Sequence, residues 1–346
     1  MRAGVLQLFR WGLLDAIKSA GTPRIETTTF HYGDEALDIR IKPRDGVDAL
    51  YAPRRTLLDP LLAGSAVGAG AEVVYRTRLQ ELTRSGHGRV DGVVVERGGR
   101  ARRIAADLVI GADGVNSSVA KHVGAKPYRV GRHMSGVIYT RARGIELSGY
   151  HWHYTPGASA GVIPTNAGET LIFVSVPQRR FLRDLRFDLA SGFHQVLRET
   201  APAVAAAMRG ATVSPYRGFA GHPGFLRPAW GDGWALVGDA GYFKDPITAH
   251  GITDALRDAE LLARAVLSGR VATLADYQAV RDELSVPLLT ITDEIASYAW
   301  DFPRLRTLHK SLSDEMAREV AYLGLRYPVS ASDLLEAKNK HVPVTH

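Results

Sequence analysis

Apolar residues recur at helical spacing over the first 20 positions of the chain. The apolar positions are Leu6, Phe9, Leu13 and Ile17. Gly21 follows them, so the pattern predicts one amphipathic helix that ends there. Because Arg10 and Asp15 interrupt the apolar run, the segment is not typical of a signal peptide.

The next part of the chain alternates between strand and helix patterns. Residues 25–42 alternate around a turn at Gly33, which predicts a β-hairpin. Residues 55–69 place leucines on one helical face, and a strand is predicted to follow at Glu72–Tyr75. Further strands are predicted at 79–83, 90–96, 100–105 and 107–111.

Residues 132–177 contain a run of strand patterns separated by Gly, Pro and Asn, which predicts an antiparallel sheet. The later elements are a helix over 188–208, strands over 211–219 and 234–238, a helix over 250–267 and a mainly helical tail from 273. Because βα segments flank the antiparallel block, we expect two interleaved domains.

Composition narrows the possible chemistry. The 346 residues suit about two domains, and the absence of cysteine excludes thiolate nucleophiles, disulfides and iron–sulfur clusters. Any redox chemistry must therefore come from a cofactor. The net charge of +7 would suit an anionic partner, but the basic residues are scattered. We therefore expect that the protein binds no nucleic acid, has no membrane-spanning helix and lies in the cytoplasm. We expect no metal ligands, and the sequence does not indicate the oligomeric state.

The segment 233–266 carries the strongest chemical signal. A buried strand ends at Gly238 and Asp239, and a helix begins near Gly251. Free N–H groups and the positive end of the helix dipole stabilise an electron-rich group docked at such a helix start. A small residue at this point lets a flat ring approach the backbone closely. Asp239 follows the strand, where α/β sheets place their ligands.

This segment resembles the pattern G-D-A-x(4–5)-P-x-x-G-x-G-x-N-x-A-x-x-D-A of FAD-dependent oxidoreductases similar to p-hydroxybenzoate hydroxylase. The matching residues are Gly238, Asp239, Ala240, Pro246, Gly251, Ala255, Asp258 and Ala259. Ala249 stands in place of the first pattern glycine of the loop and Thr253 in place of the asparagine. The cofactor contacts that the resemblance implies here are Gly238, Asp239, Ala240, Pro246, Gly251, Ile252 and Thr253.

Two further segments resemble motifs of the same family, in the family's order. In 107–124, Asp113 and Gly114 match a fingerprint near the flavin's pyrophosphate and ribityl chain, although Ala120 replaces its final arginine. In 51–62, Arg55 matches the arginine of R-x-x-L-D-x-x-L, which reaches the ribityl or phosphate side. The resemblance thus implies Arg55, Asp113 and Gly114 as further cofactor contacts.

The glycine-rich unit with which such flavoproteins open does not occur at the start of this sequence. Gly68-Ala69-Gly70 precedes a predicted strand, so it lacks the strand-before, helix-after context of G-x-G-x-x-G. We therefore expect that a βαβ-sized piece of roughly 30 to 50 residues is absent. A misplaced start codon would explain this absence.

The resemblance implies an α/β fold: a Rossmann-like FAD/NAD(P)-binding domain, N-terminally truncated, with an inserted antiparallel-sheet substrate domain (an α+β insert) and a helical C-terminal tail. The expected bounds are 1–22, 53–125 and 228–270 for the incomplete FAD-binding domain, 23–52 and 126–227 for the substrate domain, and 271–346 for the helical C-terminal region.

The implied activity is that of an NAD(P)H-using monooxygenase that hydroxylates or epoxidises an aromatic or polyketide-like small molecule with O2 through a flavin C4a-hydroperoxide. Pro246 and His250 are the catalytic candidates. The wider pocket candidates are His151, His153, Tyr154, Tyr216, His222, Tyr242, Lys244 and His250.

Two alternatives stay open. The first is a flavin reductase of the geranylgeranyl-reductase type, because the string from Asp245 to Ile252 resembles the loop of those enzymes. The second is a truncated fragment without activity. The W-x-W-x-I-P string of flavin halogenases is not found in the sequence.

Overall fold

The computed structural model of the protein describes residues 1–145, 147–268 and 272–326. Its strands, β1 to β17 in chain order, are Thr27–Tyr32, Glu35–Arg40, Arg78–Arg84, Val90–Arg97, Arg100–Ala105, Val109–Gly111, Arg129–Val130, Ser135–Arg143, Tyr150–Thr155, Ala158–Pro164, Thr170–Pro177, Thr212–Val213, Arg217–Phe219, Phe225–Leu226, Trp230–Gly231, Trp234–Leu236 and Tyr242–Phe243. Its α-helices, α1 to α10, are Arg2–Arg10, Leu14–Ser19, Arg55–Gly68, Ser118–His122, Gln178–Arg180, Leu189–Thr200, Pro202–Ala207, Gly251–Leu267, Ala272–Ala296 and Phe302–Arg326.

The chain divides into two compact units. Among the described residues, the first comprises 1–64, 133–222 and 294–326, and the second 65–132 and 223–293. Residues 1–22, which the sequence assigned to the FAD-binding domain, fall in the first unit. The reason is packing, since α1 lies against α10 and the Arg10 guanidinium donates to the Leu323 carbonyl at 3.0 Å.

A mainly antiparallel sheet forms the centre of the first unit, in the order β12-β8-β11-β10-β9-β1-β2 with β13 also on β8. The predicted hairpin joins this sheet through a parallel pairing of β1 with β9. One face of the sheet packs against α6, where Phe193, Val196 and Leu197 are buried on Val162 and Val174. Alternate strand residues therefore form the apolar core of this unit.

The second unit contains three small sheets, in the orders β3-β4-β5, β15-β16-β6 and β17-β14-β7. In the second of these, β16 and β6 run parallel. The helix α8 follows β16 and β17 along the chain, and it presents Leu261 and Leu262 to the interior. A strand that ends in a turn before a long helix is the α/β arrangement that the sequence predicted.

Three predicted elements differ from the structure, each for a local reason. The first helix is broken into α1 and α2 because Gly12 adopts φ +71°. The helix predicted over 188–208 is divided at Pro202, which begins α7. Residues 72–75 do not form a strand, and Tyr75 is exposed. Extended apolar sequence becomes a strand only where a partner strand accepts its hydrogen bonds.

The helical character predicted from residue 273 onward is confirmed as far as Arg326, and residues 327–346 lie outside the described residues. Within the described part, none of the helices combines the length and apolar character needed to cross a membrane.

Candidate functional site

The strands that lead into the two sequence motifs of the second unit, β6 and β16, end at the same edge of one small sheet. Leu236 of β16 pairs with Gly111 of β6, and the Val237 N–H donates to the Gly111 carbonyl at 3.0 Å. A Cβ at Gly111 would lie 2.6 Å from a methyl group of Leu236, so only glycine allows this approach. Because the strands are parallel, the turns that follow them emerge side by side.

In the first turn, the Asp113 carboxylate organises the backbone. It accepts hydrogen bonds from the Ser117 hydroxyl at 2.5 Å and from the Ser118 N–H at 2.6 Å. Ser117 in turn caps α4 by accepting from the Ala120 N–H at 2.9 Å. Gly114 adopts φ +77°, and a Cβ there would meet no atom within 4 Å. Asp113 therefore holds the turn, while the peptide surface at Gly114 is open.

In the second turn, Gly238 has φ +54° and its N–H donates to Asp258 Oδ2 at 3.1 Å. Ala240 is part of the apolar core, so it offers only its backbone to a ligand. Asp239 is partly exposed, and its Oδ1 lies 3.9 Å from the position of a Cβ at Gly251. The turn therefore places a carboxylate beside the first residue of α8.

The loop before α8 alternates between outward and inward residues. The exposed residues of this loop and of the first turn of α8 are Pro246, Ala249, Gly251 and Ile252, the last with 47% of its surface exposed. Thr253, predicted as a cofactor contact, is only 3% exposed, so its side chain belongs to the interior. Ala249 adopts φ +49°, which explains why the family pattern has glycine at this position. The four exposed residues form one surface around the start of α8.

Beneath this loop lies a network of buried charged side chains. Lys244 and Arg257 both contact the Asp254 carboxylate, and Arg257 also donates to Asp258 Oδ1 at 2.8 Å. Burial alone would raise the pKa of Asp254, but the facing cations Lys244 and Arg257 outweigh it and lower that pKa. Burial raises the pKa of Asp258, and Arg257 opposes this change. The network fixes the loop from below.

His250, a catalytic candidate, is a member of this network. Its Nδ1 lies 3.1 Å from Asp254 Oδ1 and 3.3 Å from Lys244 Nζ, and only 2% of the residue is exposed. This burial favours a positioning role over direct proton transfer to a substrate. The sequence did not identify Asp254 and Arg257 as partners, although their spacing of four and seven residues from His250 along one helix was a usable signal.

Arg55, the predicted cofactor contact in the segment 51–62, lies in the first unit at the start of α3. Its side chain is 69% exposed and forms an ion pair with Asp59 one helical turn further on. An exposed pair of this type contributes little to stability.

The predicted pocket residues on β9 divide between the two faces of the large sheet. His151 and His153 pair with Val162 and Ala160 of β10, so they share the face that packs against α6. Tyr154 points to the other face, where its ring lies 4.7 Å from that of His309. The histidines and the tyrosine therefore cannot line one pocket.

The Tyr154 face of the sheet is covered by aromatic side chains from residues 298–309. Tyr298 donates to Ser175 Oγ at 2.7 Å, and the Trp300 ring meets that of Tyr154 edge-on at 6.2 Å. The Tyr32 hydroxyl lies 2.8 Å from His309 Nδ1. Burial raises the pKa of Tyr32 to about 12 and lowers the pKa of His309 to about 4. Both are therefore neutral at pH 7 and are joined by this hydrogen bond.

We expect His309 to make the protein less stable in mild acid. In the unfolded chain a histidine takes up a proton below about pH 6.5, whereas folded His309 stays neutral down to about pH 4. Stability is therefore lost as the pH falls through this window, by about 2 kcal/mol once partial exposure of the ring is considered. Urea unfolding at pH 7 and pH 4.5 measures this loss. His309→Gln should lose less stability than the wild type, whereas the exposed control His87→Gln should lose as much as the wild type. Equal losses in His309→Gln and wild type would contradict the assignment.

Comparison with known proteins identifies a family. The family described as FAD binding domain matches residues 4–285. A digeranylgeranylglycerophospholipid reductase of Methanothrix thermoacetophila is 30% identical over 236 residues, which cover 65% of this chain and 58% of the relative. The chain thus spans little more than half the length of that curated relative.

Solved structures share the fold. A triple mutant of the flavin-dependent brominase Bmp2 superimposes with a TM-score of 0.75 at 16% identity, over 98% of this chain and 87% of the other. PqsL of Pseudomonas aeruginosa in complex with 2-aminobenzoylacetate gives a TM-score of 0.71 at 22% identity, over 89% and 87%. At these identities the similarity establishes the fold alone.

Proposed function

The chain belongs to the FAD binding domain family, and from this premise we propose that it is an FAD-dependent monooxygenase. Its co-substrates would be NAD(P)H and O2, and its substrate an aromatic or polyketide-like small molecule. When bound, FAD supplies the transfer of electrons to O2 and of one oxygen atom to the substrate. The protein's own residues bind, orient and exclude water.

One observation carries the proposal: the turns after the parallel strands β6 and β16 emerge side by side, and the second turn places Asp239 beside the start of α8. We expect Gly114 and Gly251 to offer open backbone there, since a Cβ at either position would meet no atom closer than 3.9 Å. The Asp239 carboxylate would accept a hydrogen bond from a ribityl hydroxyl. The N–H groups of the first turn of α8 would stabilise negative charge on the reduced ring.

In this proposal the remaining site residues have supporting roles. Pro246 would border the ring on the exposed side of the loop. The Asp258 carboxylate would keep the Gly238 turn in place by accepting its N–H. His250 would position the buried side chains of Asp254 and Lys244 through its contacts with both. The proposed role of Arg55, a contact with the phosphate or ribityl side of FAD, rests on the sequence resemblance of residues 51–62 alone.

A flavin-dependent reductase acting on carbon–carbon double bonds is the second candidate. The string from Asp245 to Ile252 and the match to digeranylgeranylglycerophospholipid reductases favour it. Both candidates use the same turns, so the site residues do not separate them. The two candidates differ in whether an oxygen atom from O2 enters the product.

The test uses the full chain loaded with FAD, NADPH or NADH, and a panel of aromatic acids, phenols and prenyl lipids. A monooxygenase converts RH, O2, NAD(P)H and H⁺ into ROH, H2O and NAD(P)⁺. We therefore expect substrate-dependent O2 uptake equal to the NAD(P)H consumed, and one atom of ¹⁸O in the product from ¹⁸O2. The control is the same mixture without substrate.

Reduction of a prenyl substrate under anaerobic conditions would instead establish the reductase. In a separate reaction under ¹⁸O2, the product of the reductase would carry no ¹⁸O. In that case the monooxygenase proposal fails while the flavin site stands.

A further inference from the structure

Three histidines come together on the α6 face of the large sheet, on two neighbouring strands. His151 and His153 are alternate residues of β9, so their side chains point to the same face. His31 of β1 is directly opposite His153 in the parallel pairing. The backbone register alone therefore gathers three imidazoles.

The rings are close enough to share one ligand. One nitrogen from each histidine lies within 4.8 Å of the others. The His31 and His153 rings stack with centroids 4.0 Å apart, so one of the two rings has to turn about its side-chain torsions to direct its nitrogen at a shared ion. His31 Nε2 and His151 Nδ1 are separated by 3.1 Å. Two imidazole nitrogens that bind zinc at about 2.0–2.1 Å in tetrahedral geometry lie slightly further apart than this.

The tautomer of His151 is set by a backbone carbonyl. Its Nε2 lies 2.9 Å from the Ser148 carbonyl, which can only accept, so Nε2 carries the proton. The lone pair of His151 Nδ1 therefore faces His31. A histidine whose second nitrogen donates to a backbone carbonyl is the usual outer-shell arrangement of a metal ligand.

His153 supplies an independent observation. Its Nε2 is buried and has no hydrogen-bond partner within the described residues. A hydrogen bond between His31 and His151 would still leave this buried nitrogen without a partner, which costs free energy. A cation bound among the three rings would give it one.

We propose that His31, His151 and His153 bind a divalent transition-metal ion, with Zn²⁺ as the first choice. Three neutral imidazoles suit zinc, nickel and copper and do not suit Mg²⁺ or Ca²⁺, which take oxygen ligands. Three protein ligands leave a fourth position for water or an exogenous group. The ion would also tie the β1–β2 hairpin to β9. The three histidines are not among the residues of the proposed flavin site, so the metal site stands or falls separately from the proposed function.

The test is a zinc titration of the full chain, without an affinity tag and stripped of metal by a chelator. The probe is ZnCl2 in competition with a chromophoric zinc indicator, and X-ray absorption of the zinc-loaded protein reports the ligands. We expect one zinc per chain at this site with about three nitrogen neighbours, and a higher thermal midpoint with zinc than without it. His153→Gln should weaken this binding at least tenfold and remove the thermal shift.

His87→Gln, in the exposed turn between β3 and β4, is the matched control and should bind zinc like the wild type. His151→Gln, at a half-buried ring, is the second variant should His153→Gln fail to fold, as judged by circular dichroism. The proposal is overturned if the wild type binds no zinc in competition with the indicator, or if the folded histidine variants bind it as tightly as His87→Gln.

Discussion

Replacing Asp258 by alanine is expected to lower the free energy of unfolding by about 3–5 kcal/mol. Asp258 lies inside the second unit, where its carboxylate accepts from the Arg257 guanidinium at 2.8 Å and from the Gly238 N–H at 3.1 Å. The variant leaves a fully buried arginine without one of its counter-charges and a backbone donor without its acceptor. The turn at Gly238 should lose its fixed geometry as well.

Urea unfolding followed by tryptophan fluorescence measures this effect. Asp258→Asn keeps an acceptor oxygen without the charge, so its loss should fall between the wild type and alanine. Asp276→Ala, an exposed acid on α9 in the same unit, is the control and should stay within about 0.5 kcal/mol of the wild type. A loss below about 1 kcal/mol in Asp258→Ala would show that the buried network does not support the turn.

Substitution of Gly251 is expected to separate flavin binding from folding. A Cβ at this position would meet only Asp239 Oδ1, at 3.9 Å, and Gly251 does not adopt a positive φ, so the protein itself accepts alanine. Valine adds two methyl groups to that Cβ, and urea unfolding of the variant reports whether the fold accepts them. At the start of a helix, alanine should leave stability unchanged or slightly raised. A side chain there would nevertheless occupy the space through which a flavin ring approaches the first turn of α8. We expect the Kd for FAD to rise about tenfold in Gly251→Ala and about a hundredfold in Gly251→Val, which corresponds to about 1.4 and 2.7 kcal/mol.

The measurement is the quenching of FAD fluorescence on titration with protein, alongside urea unfolding of each variant. Gly324→Ala in α10 is the matched control, because a Cβ there also meets no atom within 4 Å. It should bind FAD as the wild type does. If Gly251→Val folds and binds FAD with unchanged affinity, the ring does not lie at the start of α8.

Local patterns were sufficient to predict where the motifs lie. The apolar run before Gly238 and the helical spacing after Gly251 depend on neighbouring residues alone, and the structure places β16 and α8 accordingly. The spacing could not indicate that the carboxylate of Asp258, 20 residues away, accepts the Gly238 N–H. Such contacts depend on how the helix packs under the loop, which no local pattern contains.

The same limit applies to the surroundings of the candidate site residues. Alternation along β9 correctly puts His151 and His153 on one face and Tyr154 on the other, but it does not say which face α6 covers. The apolar residues 72–75 satisfy a strand pattern, yet a strand also requires a partner. His250 matched a position next to the expected ring, whereas its burial follows from Lys244 and Asp254.

Direct measurement of FAD binding by the full chain tests the central claim, that the turns at Gly114, Asp239 and Gly251 form a flavin site. The purified protein is incubated with FAD, freed of unbound cofactor, and its flavin-to-protein ratio is read from the absorption spectrum. The account predicts that about one FAD per chain stays bound after unbound cofactor is removed, and that the ratio is clearly reduced in Gly251→Val. Folded wild-type protein that retains no FAD, or retains it equally in Gly251→Val, would contradict the account.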